Sequence, residues 1–243
     1  MHAENAETDL VLPDRCLAVF VDDTGHEALA AGHQVYGLGG CAALARDLDR
    51  VIRSPWREIR RRVTGSPDTP LHANAFAGFA TPENILAVAE FFRVNPFARL
   101  GAIISTDTAL ADALLPVPTM ARVLQARIAD IARWTEFDSV AIIFEASERA
   151  DRLTEQAFQG FALEEGGQPI PVECYFMRKA HAEAALEVAD FVMHAVGRQA
   201  RQNLKKRGDF VPDFCAVFHA VDRGLTSFME VDSVVAGAST GSC

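Results

Sequence analysis

The chain has 243 residues, 49% of them hydrophobic and 23% charged, with a formal net charge of −10. That is an ordinary globular composition with enough length for one full core, and it excludes polyanion binding by the surface at large, leaving only a local basic groove. No apolar stretch reaches membrane-spanning length, the N-terminal MHAENAETDL lacks the features of a signal peptide, and five scattered cysteines without a CxxC pair read as reduced core residues of a cytoplasmic protein.

Residues 1–14 are polar and read as a loose arm ahead of a domain over 15–207, with 208–243 as an appended element ending in a loose tail. In Cys16–Gly25, CLAVFVDDTG, an apolar run carries into two carboxylates and a Thr-Gly break. This is the pattern of a buried strand closed by a turn. Alternation along a strand places Asp22 and Asp23 on opposite faces of the sheet. A carboxylate at the end of a buried strand costs free energy unless it is paired, hydrogen-bonded or bound to a cation. Turn chemistry alone also favours Asp at such a position.

Gln34–Leu44 reads as a second strand, forming an antiparallel hairpin with the first. Its segment Gly37–Ala42 fits G-x-G-x-x-A. A dinucleotide fingerprint, however, closes the first strand of a βαβ unit and is followed about 20 residues later by an acid. Here that position holds Arg62, so glycines that allow close packing are the better account. Ala45–Arg62 has helical periodicity and ends in the basic run Arg57–Arg62. Leu71–Phe76 reads as a short strand carrying His72. Thr81-Pro82-Glu83 opens a helix with Thr as N-cap and Pro at the first helical position, and that helix stops before Asn95-Pro96.

Leu100–Ser105 is a further buried strand, followed by a long helix interrupted near Pro116-Val117-Pro118. Phe137–Ser147 repeats the opening pattern, with an apolar run ending in Glu145. Arg149–Glu165 reads as helix and Pro169–Met177 as strand, and the last major helix runs from His181 to about Lys206. Strands alternating with helices after an opening hairpin predict an α/β domain with a mixed sheet and helices on both faces.

On the last helix Glu183, Glu187, Asp190 and His194 share one row, which continues as Arg198, Arg201 and Lys205. The opposite row, Leu186, Ala189, Met193 and Val196, must face the sheet. Acids early and bases late also complement the helix dipole and need no function for that. Asp190 lies mid-helix, where the dipole explains it poorly. Asp22 and Glu145 on neighbouring strands would stand about 5 Å apart, and a helix across the strand ends could add Asp190. Clustered carboxylates repel one another and imply a cation, and hard oxygen ligands select Mg²⁺ or Mn²⁺.

The order of these motifs resembles the family called domain of unknown function 3800. Asp22-Asp23-Thr24-Gly25 stands where that family usually has Asp-Glu-Ser-Gly. Tyr36–Gly40 corresponds to its glycine-rich second strand, Pro70-Leu71-His72 to its Glu-Leu-His/Lys element, and Leu186–Phe191 to its Leu-x-x-Ala-Asp-aliphatic helix. Glu145 stands where Asp is common. The resemblance covers about residues 16–200 and implies a ribonuclease H-like fold. The chain departs from the pattern at Asp23, Pro70 and Glu145.

The expected function is a divalent-metal-dependent nuclease or phosphodiesterase. Asp22, Glu145 and Asp190 are its expected ligands, with Asp23 or Glu187 as auxiliary acids and His72 as a proton shuttle. Arg198, Arg201 and Lys205 would hold backbone phosphates, with Arg57–Arg62 as an opposite bank. The rival expectation is a non-catalytic scaffold that keeps the fold.

Overall fold

A computed structural model describes residues 10–27, 29, 33–105, 116–132, 135–146, 151–165, 168–204, 217 and 225–232. Its centre is the strand β1 (Cys16–Gly25), which pairs antiparallel with β2 (Val35–Leu44) and parallel with β4 (Ser139–Glu145). β2 pairs antiparallel with β3 (Ala98–Ser105), β4 parallel with β7 (Val172–Met177), and β3 parallel with β8 (Thr226–Asp232). The mixed sheet therefore runs β7-β4-β1-β2-β3-β8, with β2 alone opposing the other five strands. A separate hairpin joins β5 (Leu163–Glu165) to β6 (Gln168–Ile170).

Helices cover both faces. Cys16, Ala18 and Phe20 of β1 point to a core shared with α6 (Ala184–Leu204), whereas Leu17, Val19 and Val21 point to one shared with α4 (Pro116–Ala132). α5 (Asp151–Phe158) joins the second layer, its Phe158 ring 5.2 Å from that of Phe144. On the first face α1 (Ser54–Thr64), α2 (Ala73–Phe79) and α3 (Pro82–Val94) add an outer layer. Trp56 packs its ring edge-on to Phe91 and Phe191, each 4.9 Å away. α6 is thus sandwiched rather than half-solvated, and Val188, Phe191 and Val192 are as buried as the expected inward row.

The β2 glycines let α6 lie directly on the sheet. A Cβ on Gly40 would sit 2.1 Å from the Phe20 carbonyl oxygen and 2.7 Å from the Ala189 Cβ. One on Gly197 of α6 would sit 2.3 Å from Thr24 Oγ1. Gly40→Ala is therefore expected to destabilise the fold by about 2–3 kcal/mol through overpacking. Urea unfolding measures this, and an unchanged midpoint would rule out the close approach.

Four expectations need correction. The stretch 45–62 is not one helix. Pro55 removes a backbone donor, and the chain passes through a 3₁₀ turn at Ala45–Asp47 and a π turn at Asp49–Arg53 before α1. Leu71–Phe76 is not a strand, because α2 begins at Ala73 with His72 as its N-cap. The helix expected to reach Glu165 ends at Phe158 and turns at Gly160 (φ +79°), and residues 163–165 pair with 168–170 instead. Leu10 and Leu12, placed in a loose arm, pack against the core. In the C-terminal segment β8 extends the sheet, Leu225 packs against the core and Val217 is buried, while the rest of 205–243 lies outside the described residues. No helix among the described residues is long and apolar enough to cross a membrane.

Candidate functional site: a carboxylate pocket at the end of the central strands

β1 and β4 lose their apolar character at the same level of the sheet. Val21 pairs with Phe144, so Asp22 and Glu145 are the next residues on adjacent parallel strands, about 5 Å apart by strand spacing. Both follow residues of the α4 face and so point toward α6. There they meet Asp190, and the three carboxylates line one cavity of about 270 Å³ together with His72, Asn74 and Lys179. Its remaining wall is Pro70, Ala182 and Glu183 ahead of α6, and Leu186 and Glu187 in its first turn.

Asp190 accepts a hydrogen bond from the Ala73 amide at Oδ2, 2.9 Å, and the same oxygen lies 3.7 Å from His72 Nδ1. The α6 acid thus caps α2, which is why a helix starts where the local sequence reads as strand. Glu145 lies 3.7 Å from Lys179 Nζ. The pKa of Asp22 is raised well above the usual carboxylate range, first by burial and then by the charges of Asp190, Asp23 and Glu145. Burial also raises that of Asp190, against the lowering effects of the Ala73 amide and His72. Desolvation and mutual repulsion thus both oppose charge at this spot.

The other acids of the α6 row are already committed. Glu187 is 6% exposed. Its Oε2 accepts from Trp56 Nε1 (2.8 Å), Arg60 Nε (3.0 Å) and the Leu71 amide (3.1 Å), and its Oε1 from Arg60 Nη2 (2.7 Å). An acid holding four donors cannot also serve as the expected auxiliary acid. Glu183 is gripped by both Arg53 nitrogens, at 3.0 and 3.1 Å. Asp23 faces the α4 side of the sheet by alternation and does not line the cavity.

The expected phosphate-binding residues do not gather at the pocket. Arg198 and Arg201 are absent from its lining; burial first, and then their charges, push the His194 pKa down to about 4. Lys205 lies outside the described residues. The run Arg57–Arg62 is not a free bank. Arg60 is buried against Glu187, Arg61 pairs with Glu58, and Arg57 lies 3.5 Å from Asp68. Sequence reasoning assigned no site role to Lys179 or Asn74. Their only signal is adjacency, Lys179 to the start of the last helix and Asn74 to His72.

No group of three or more His, Cys, Asp or Glu side chains that could hold a metal ion is found among the described residues. The chemistry of the donors nevertheless fits a hard divalent cation. With Glu183 and Glu187 paired to arginines, the ion-pair partners of the Asp22, Glu145 and Asp190 cluster among the described residues are Lys179, 3.7 Å from Glu145, and His72, 3.7 Å from Asp190, so acids outnumber bases at the pocket. Oxygen-only sites of this charge select Mg²⁺ or Mn²⁺ over softer metals. No family model matches the chain, and neither a curated protein nor a solved structure does.

Proposed function

We propose that this chain is a divalent-metal-dependent phosphodiester hydrolase acting on nucleic acid, ribonuclease H-like in fold and of the domain of unknown function 3800 type. The observation that carries the proposal is the convergence of Asp22, Glu145 and Asp190 from β1, β4 and α6 on one pocket where acids outnumber bases. The fold reading is supported by five strands in the order β3-β2-β1-β4-β7 with only β2 reversed, and by a late helix crossing the end of β1.

Asp22, Glu145 and Asp190 would hold Mg²⁺ or Mn²⁺, and a bound ion would polarise the phosphoryl oxygen and lower the pKa of an attacking water. The protein groups supply position. Asp190 is fixed by the Ala73 amide and keeps Oδ1 without a hydrogen bond among the described residues. His72, beside Asp190 and part-exposed, can accept or return a proton at the pocket mouth. Arg198 and Arg201 stand about 12 and 17 Å of helix rise beyond Asp190, where they can hold phosphates further along a strand. Buried, unbridged Cys16 and Cys41 fit a cytoplasmic location.

The scaffold reading is favoured by one observation, that the carboxylates as they stand form no ready metal-holding group. A melting scan separates the two. An ion that binds only the native chain at a hundredfold its Kd adds about 2.7 kcal/mol of stability. A rise in Tm with Mn²⁺ over EDTA, lost in Asp190→Asn, is expected of the hydrolase. No shift at millimolar ion would leave the scaffold.

A further inference from the structure

Among the described residues, each arginine near the pocket is either held by a partner or absent from the lining. Arg60 is 3% exposed and holds Glu187, the Ala182 carbonyl (2.6 Å) and the Pro67 carbonyl (3.3 Å). Arg53 makes a two-nitrogen fork to Glu183. Arg198 and Arg201 do not line the cavity. Lys179 does, on a side chain 62% exposed, and its single ion pair among the described residues is the 3.7 Å approach to Glu145. A half-solvated pair at that distance contributes little stability and is readily exchanged.

The backbone beneath Lys179 is held firmly. Lys179 opens a 3₁₀ turn closed by the bonds His181 N to Arg178 O and Ala182 N to Lys179 O. Ala182 then takes φ +47°, the only left-handed non-glycine conformation among the described residues, and the Arg60 guanidinium holds its carbonyl. A flexible cationic arm is thus mounted on a fixed base at the rim of an acidic pocket.

We propose that Lys179 is the phosphate-binding cation of this site: it neutralises Glu145 in the metal-free protein and turns to a nucleic-acid phosphate when an ion takes Glu145. The assignment rests on the metal-dependent reading above and adds to it the group that recognises the substrate anion. Three carboxylates around one divalent ion still carry a net negative charge, so a further cation at the rim favours the approach of a phosphodiester. Lysine suits the exchange, because its ammonium is a point charge on a flexible stem and has no fixed fork to break.

The two roles give effects of opposite sign, which a merely structural Lys179–Glu145 pair does not. Titration calorimetry with Mn²⁺ alone should show Lys179→Gln binding the ion severalfold more tightly than the parent, because a competitor for Glu145 is gone. In the presence of Mn²⁺, labelled oligothymidylate and oligouridylate, both on Asp190-intact protein and read before turnover, should bind Lys179→Gln about tenfold more weakly. The salt dependence should be shallower by about one phosphate contact. Lys179→Arg should restore most of the loss. Mn²⁺ binding with unchanged oligonucleotide affinity in Lys179→Gln would overturn the assignment alone. Absence of Mn²⁺ binding in both proteins would overturn the metal-dependent reading and this assignment with it.

Discussion

Glu187→Ala is expected to lower stability by about 3–5 kcal/mol, the cost of removing one member of a buried ion pair and leaving the other charged and enclosed. Arg60, 3% exposed, would lose its only carboxylate partner among the described residues, and Trp56 Nε1 and the Leu71 amide would lose their acceptor. At this chain length each kcal/mol corresponds to about 2–4 °C, so the fall in Tm should be roughly 6–20 °C. The double variant Arg60→Met/Glu187→Leu removes both charges together and should be less destabilised than either single change. Loss of the pair should also slacken Pro70–Leu71, because the Leu71 amide is one of the bonds that tie this segment to α6. A Glu187→Ala protein that melts within about 1 kcal/mol of the parent would show that the cluster is not the clamp described.

Asp22→Asn should separate stability from metal response. The folded-state pKa of Asp22 is raised by burial and by neighbouring acids. The native state therefore keeps a proton that the unfolded chain releases near pH 4. Stability from this group is full below pH 4 and is lost as pH rises through the folded value, so toward higher pH Asp22 costs the metal-free fold stability. Asn removes that penalty. The metal-free variant should melt above the parent, and the gap should widen from pH 4 toward neutrality. Its Mn²⁺ response should vanish, and any metal-dependent cleavage should fall by more than about a hundredfold, since even outer-shell partners of a metal cost 10–100-fold. Circular dichroism melts across pH, with and without Mn²⁺, test the prediction. A variant less stable than the parent at neutral pH in EDTA would contradict it.

Much of the sheet is legible from local pattern. β1 and β4 are apolar runs ending in acids, and because their lengths and register match, the two acids arrive side by side. Asp190 is legible as a mid-helix acid bordering an apolar row. What the chain conceals is which acids are already spoken for. Glu187 and Asp190 share one row, yet the Trp56 and Arg60 that claim Glu187 lie 131 and 127 residues away. Helical periodicity marks only one apolar row of α6 as facing the sheet, since nothing local announces that α1 and α2 will cover the other side. α2 is hidden for a related reason: the acceptor for its first amide comes from α6, 117 residues on. The pairing of 163–165 with 168–170 is hidden differently, because in sequence a Gly-Gly pair is as much a helix stop as a hairpin signal.

The central claim is that Asp22, Glu145 and Asp190 share a divalent cation. Its most direct test is a crystal of the full chain soaked in Mn²⁺ and measured at the manganese edge. The account predicts an anomalous peak within about 2.0–2.6 Å of carboxylate oxygens from all three residues, with Lys179 Nζ displaced from Glu145. A fully soaked crystal with no peak in this pocket, and Lys179 still on Glu145, would contradict it.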